Sequence, residues 1–147
     1  EYAKLLLLVG SEVDVVAKLL CDKVAPGQKA KNICDYRKLI VATFNGFHTI
    51  NIEIPRYSIS VQPWLAWDPA SAKSPDWWAA YNDVKHERDK NFREANQKNT
   101  TNALCGLLAL LLYLYKDNPH LQPYPELFEY GFPSYLVTEG GKKLPGT

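Results

Sequence analysis

Apolar residues recur near the start of the chain at i, i+3, i+4 and i+7. Tyr2, Leu5, Leu6, Val9, Val13, Val16, Ala17, Leu20 and Val24 make up the series, which predicts an amphipathic helix over residues 2–24. "APG" at 25–27 ends it, because proline and glycine both break helices. Glu12 stands one turn from Val9 and from Val16. Its carboxylate is expected at the rim of the stripe, with water on one side. A second series, Ile33, Tyr36, Arg37, Ile40 and Phe44, predicts a helix over 29–44 that "NG" at 45–46 stops.

The period then changes. "HTINIEI" (48–54) and "RYSISV" (56–61) alternate apolar and polar residues, with Pro55 and Arg56 where they meet. This predicts a β-hairpin inserted in a helical protein. A lone hairpin is marginal in water, so its apolar side must rest on the helices or on a partner chain. "QPWLAWDPASAKSP" (62–75) reads as a loop anchored by Trp64 and Trp67.

A third helix is predicted over 75–92, with Ser74 as N-cap and Pro75 at the first helical position, where a missing N–H costs nothing. A fourth runs over 96–116. Its "NALCGLLALLLYLY" is apolar on nearly every side, which places it in the middle of a bundle. The tail, 117–147, carries Pro119, Pro123, Pro125, Pro133 and Pro145 among aromatics, and reads as an extended segment over the surface with "EGGKKLPGT" frayed. With no internal repeat, the chain reads as one mainly α domain over 1–147. It is a bundle of about four main helices with an inserted hairpin at 48–62 and an extended C-terminal tail.

Composition narrows the class. The 147 residues are 46% hydrophobic and 22% charged, with a net charge of +1. That is a globular balance, and it argues against a strongly electrostatic nucleic-acid or membrane binder while leaving room for a local patch. The longest apolar run, 103–115, is shorter than the ~18–20 residues of a membrane span. The N-terminus lacks a signal-peptide pattern. Cys21, Cys34 and Cys105 lie far apart without a CxxC, and read as small buried residues of a reducing, cytoplasmic compartment. There is no methionine, so either residue 1 is not the native start or modified methionines are missing from the sequence.

The densest chemistry is "YNDVKHERD" at 81–89. At about 100° per residue, Trp77, Tyr81, Val84 and Arg88 share one stripe of the third helix. That stripe is the expected core side, with the Arg88 stem along it and the head reaching out. Asn82, His86, Asp89 and Arg93 share another stripe, with Lys85 between the two. An imidazole that donates to Asp89 and meets a ligand with its other nitrogen suits acid–base work near neutral pH. Asn82 adds a neutral donor and acceptor, while Lys85, Arg88 and Arg93 bring phosphate-compatible charge. A helix with such residues on one side is also what a solvated face looks like.

Other chemistries lack their parts. No GxGxxG or GxxxxGK[ST] loop is present, nor a G-x-S-x-G elbow. A single histidine with Asp and Asn is a poor zinc set, and HExxH is missing. The expectation is no metal and no cofactor.

The order of a helix with "SEVD", a second helix, a "WWxxYNxxKHxR" helix and an apolar "NALCGLLALLL" helix resembles the HEPN superfamily of prokaryotic helical domains. The resemblance covers roughly residues 1–116 and is most specific at 81–88. Domains of that superfamily are common in toxin–antitoxin and phage-defence systems. Its signature is an arginine and a histidine separated by four to six residues, usually with a polar residue directly after the arginine.

The resemblance implies a metal-independent endoribonuclease, working as a homodimer with the motifs in a shared cleft. The histidine handles protons while the RNA 2′-hydroxyl attacks phosphorus, and the arginine stabilises the phosphorane. His86 matches the motif histidine and Asn82 the polar residue. The arginine's positions hold Ala79, Ala80 and Tyr81, with Tyr81 directly before Asn82. Arg88 is the candidate replacement.

Three readings follow. In the first, His86 is the acid–base, Asn82 and Lys85 position RNA, and Arg88 or Arg93 contacts phosphate. In the second, the chain is a non-catalytic dimerising module. It binds RNA or a neighbour-encoded protein through the Trp64/Trp67 loop and the hairpin edge. In the third, Asn82, His86 and Glu12 satisfy one another inside the bundle, with Glu12 the partner of His86 or Lys85.

Overall fold

The computed structural model describes residues 1–117, 126–128 and 144–147. It is mainly helical, with one small antiparallel hairpin. The first helix, α1, runs Tyr2–Val24, and α2 runs Ile33–Thr43. The Asn32 side chain caps α2 by accepting from the N–H groups of Cys34 and Asp35. The chain then turns at Gly46, whose φ of 84° is one that glycine adopts without strain.

The hairpin is shorter than its alternating pattern suggests. Strand β1, Ile52–Ile54, pairs with β2, Ile59–Val61, matching Ile52 to Val61 and Ile54 to Ile59. A 3-10 turn at Pro55–Tyr57 links them. Ile50, Ile52 and Ile54 are buried, so the apolar side rests on this chain's own core.

The helix expected over 75–92 is broken. Helix α3 is Asp76–His86, α4 is the single turn Arg88–Asn91, and a 3-10 turn follows at Phe92–Glu94. Ser74 is not the cap: Pro75 holds that position and no side chain caps the helix. Helix α5, Gln97–Leu114, is capped by Asn96, which accepts from the Asn99 N–H. Its residues 100–114 are all buried or half-buried, as its apolar circumference requires.

Helix α1 makes its main contact with α5, and α3 lies against both. Two glycines permit the approach. A β-carbon at Gly10 would overlap the Tyr81 ring, and one at Gly106 would stand 2.7 Å from Trp77 Cζ2. The face of α1 that turns inward carries Ala3, Leu6, Gly10, Val13, Ala17 and Cys21. Tyr2 and Leu5, expected in that stripe, are exposed instead.

An aromatic chain ties the parts together. Tyr81 meets Trp78 at 5.0 Å between ring centroids, Trp77 meets Trp64 at 5.0 Å, and Trp64 meets Trp67 at 4.2 Å. Phe47 then links Trp64 to Tyr113. Trp64 Nε1 donates to the Gly106 carbonyl (3.1 Å) and Trp77 Nε1 to the Pro63 carbonyl (2.7 Å). These bonds satisfy indole donors inside the core. Trp64 and Trp67 are therefore core residues, and their rings do not supply the partner surface expected of that loop.

No helix among the described residues is long and apolar enough to cross a membrane. Cys21 and Cys105 are buried as expected, whereas Cys34 is exposed. Most of the expected extended tail (118–125 and 129–143) lies outside the described residues. Its last residues are not frayed: Leu144 packs on the core, and the Pro145 carbonyl accepts from Tyr113 Oη at 2.7 Å.

Candidate functional site

The residues singled out in "YNDVKHERD" meet two different fates at the end of α3. Tyr81 and Val84 are buried, as their stripe predicts. Asn82 is half-buried, and its amide donates to the Trp78 carbonyl one turn back, at 3.1 Å. One of its two amide hydrogens is therefore spent within its own helix. Lys85 is exposed and lays its ammonium over the Tyr81 ring, 5.5 Å from the centroid. His86 is the last helical residue and is exposed.

The helix stops at Glu87, with φ −139° and ψ 64°. Neither glycine nor proline marks the place. Asn91 supplies the local reason: it folds back and donates its side-chain amide to the Asp83 carbonyl at 3.2 Å. That carbonyl also takes the Glu87 N–H at 2.9 Å. Such a side-chain bond offers the backbone an alternative to another helical turn.

The break changes the geometry that helical spacing implied. Arg88 does not lie along the core stripe; it opens α4 and is exposed. Asp89 and Arg93 are exposed on α4 and on the following 3-10 turn, no longer in helical register with His86. Glu12 is exposed on α1, and no hydrogen bond or ion pair joins it to His86 or Lys85. The mutual satisfaction of Asn82, His86 and Glu12 is thus corrected. The acid of α1 that matters to the interior is Asp14, which accepts from Tyr36 Oη at 2.6 Å and pairs with Lys18.

What remains is an exposed corner. Lys85, His86, Arg88 and Arg93 stand around the break, together with Phe92, whose exposure of 62% is the largest of any big apolar residue described. Lys90 pairs with Glu87 at 2.9 Å, which leaves Lys85, Arg88 and Arg93 without an ion-pair partner among the described residues. The prominence of Phe92 has no counterpart in the sequence reading, which placed the residue at a helix end. The local clue was an aromatic flanked by Asn91 and Arg93, with the charged Arg88 and Asp89 one turn before it.

A second feature escaped the sequence. A cleft of about 610 Å³ lies where α3 faces the start of α5, and Asp76, Asp83 and Glu94 contribute carboxylates to it against the single lysine Lys98. Asp76 and Asp83 stand seven residues apart on α3, a helical spacing, but Glu94 and Lys98 come from beyond the break, so the sequence does not mark the group. His86, Arg88 and Arg93 do not line it. Among the described residues, no group of three or more His, Cys, Asp or Glu side chains is arranged to hold a metal ion. Compared with known proteins, the chain matches no family model, no curated protein and no solved structure.

Proposed function

We propose that this chain is a HEPN-like helical domain of a prokaryotic defence or toxin–antitoxin type system, and that its 85–93 corner contacts RNA without cutting it. One observation carries the reading: the break at Glu87 leaves Lys85, Arg88, Arg93 and the prominent Phe92 outside the core on consecutive short elements. A bare aromatic among cations suits single-stranded RNA. Bases stack on the ring while phosphates meet the charges. Binding is favoured over cleavage because the phosphorane needs a fixed cation, and Tyr81, in the arginine's place, is buried. With a net charge of +1 and three cations at the corner, the contact is a weak one with a shallow salt dependence, a log–log slope of about −2.

A metal-independent ribonuclease is the second reading. The observation that favours it is the exposure of His86 and Arg88 on the two sides of Glu87. Here His86 is the acid–base and Arg88 the cation.

One experiment separates them. A labelled single-stranded RNA is titrated with wild type, Phe92→Ala, the double variant Arg88→Ala/Arg93→Ala, and His86→Ala, all in EDTA. Binding should be lost in the first two variants, with the RNA intact throughout. Cleavage by wild type that vanishes in His86→Ala would replace the binding reading with the catalytic one. Neither binding nor cleavage by wild type would end both.

A further inference from the structure

Helix α1 has two apolar faces, and the described residues cover only one. Leu5, Leu8, Val15 and Leu19 are 47%, 61%, 48% and 49% exposed. With Glu12 they take the spacing of alternating a and d positions of a heptad, and so form one seam along the helix. A single exposed leucine needs no explanation, but a continuous seam marks a contact surface.

The charges beside the seam identify what covers it. Lys4 and Asp22 sit at its two ends, both exposed, and neither is in an ion pair among the described residues. They are eighteen residues apart in the sequence, a whole number of helical turns at about 3.6 residues each, so they flank the seam on the same side. Two copies of α1 packed antiparallel bring Lys4 of each against Asp22 of the other, with Leu8 facing Leu19. A parallel arrangement keeps both lysines at one end and both aspartates at the other, so no Lys4–Asp22 pair forms.

We infer that this seam is a two-fold interface between two copies of the chain, with their α1 helices antiparallel. The seam stands whether or not the 85–93 corner touches RNA. Glu12 lies near the two-fold axis and faces its own copy, which works against the contact. The seam runs from Leu5 to Leu19 on α1, a length of about 21 Å at about 1.5 Å per residue. One helix face of that length falls below a standard interface, and the dimer is expected to be weak, with a dissociation constant of roughly tens of micromolar.

Sedimentation equilibrium of the full chain, from about ten-fold below to ten-fold above that value, tests it. Wild type should pass from monomer to dimer. Leu8→Glu should remain monomeric, and Glu12→Leu should tighten the dimer. Lys4→Asp and Asp22→Lys should each weaken it by about fivefold, since each places two like-charge contacts in the interface. The double variant Lys4→Asp/Asp22→Lys should restore it to within about twofold, because the pairs reform with exchanged signs. All these positions are exposed, so circular dichroism melts should match wild type. A wild type that stays monomeric, or a double variant no tighter than the singles, would overturn the inference.

Discussion

The ring of Tyr81 occupies the space that a β-carbon on Gly10 would need. The third helix thus touches the first through an aromatic face laid on bare backbone. Gly10→Ala should destabilise the fold by about 1–3 kcal/mol through overpacking. Tyr81→Ala should cost about 3–5 kcal/mol through the cavity it leaves. Urea unfolding of both singles and the double variant should show a sum larger than the double's cost, since removing the ring also removes the clash.

The same contact decides what happens if the missing arginine is put back. Tyr81→Arg buries a guanidinium beside Gly10 and Trp78, with the Lys85 ammonium already over that position. The expected loss is on the order of 3–5 kcal/mol, so a depressed melting temperature should accompany any attempt to restore the motif. His86→Ala, by contrast, removes an exposed side chain with no hydrogen-bond partner among the described residues. It should leave stability within about 0.5 kcal/mol of wild type.

Tyr36 joins α2 to α1 through its 2.6 Å bond to Asp14. Burial, with Asp14 beside it, pushes the Tyr36 phenol far above its ordinary value. Tyr36→Phe should cost about 1.5–3 kcal/mol, the range for a hydrogen bond to a charged acceptor. The measurement is the shift in urea midpoint at constant slope.

Burial also pushes the Cys21 thiol up to about 11 and the Cys105 thiol up to about 12, from an ordinary value of 9.0. The folded chain therefore holds protons that the unfolded chain releases at lower pH. That stability is fully present below about pH 9 and is lost as pH rises through the folded values. Urea midpoints measured from pH 7 to 11 should fall only at the alkaline end. At pH 8, alkylation should modify the exposed Cys34 quickly, and Cys21 and Cys105 only on unfolding.

The candidate site was legible as a list of residues but not as a geometry. A continuous helix through 75–92 sets Arg88 along the core and Asp89 a turn beyond His86. The chain instead stops at His86, because the Asn91 side chain reaches back to the Asp83 carbonyl. That bond spans eight residues and leaves no periodic trace. Trp64 and Trp67 misled in the opposite sense. In a polar, proline-rich loop they resemble a display surface, yet their rings fill the space between Phe47, Trp77 and the backbone of Gly106.

Local pattern alone determined the helices at 2–24 and through the apolar "NALCGLLALLLYLY", the turn at "NG", and the change of period that makes the hairpin. Each follows from side-chain spacing within a few residues, and each stands in the structure. Tertiary packing decided which of two apolar stripes on α1 is covered. Both are hydrophobic enough, but only the stripe with Ala3, Gly10, Ala17 and Cys21 is slim enough to admit α5 and the Tyr81 ring. Close approach of backbones selects small residues over bulky ones, and that selection depends on neighbours far away in the sequence.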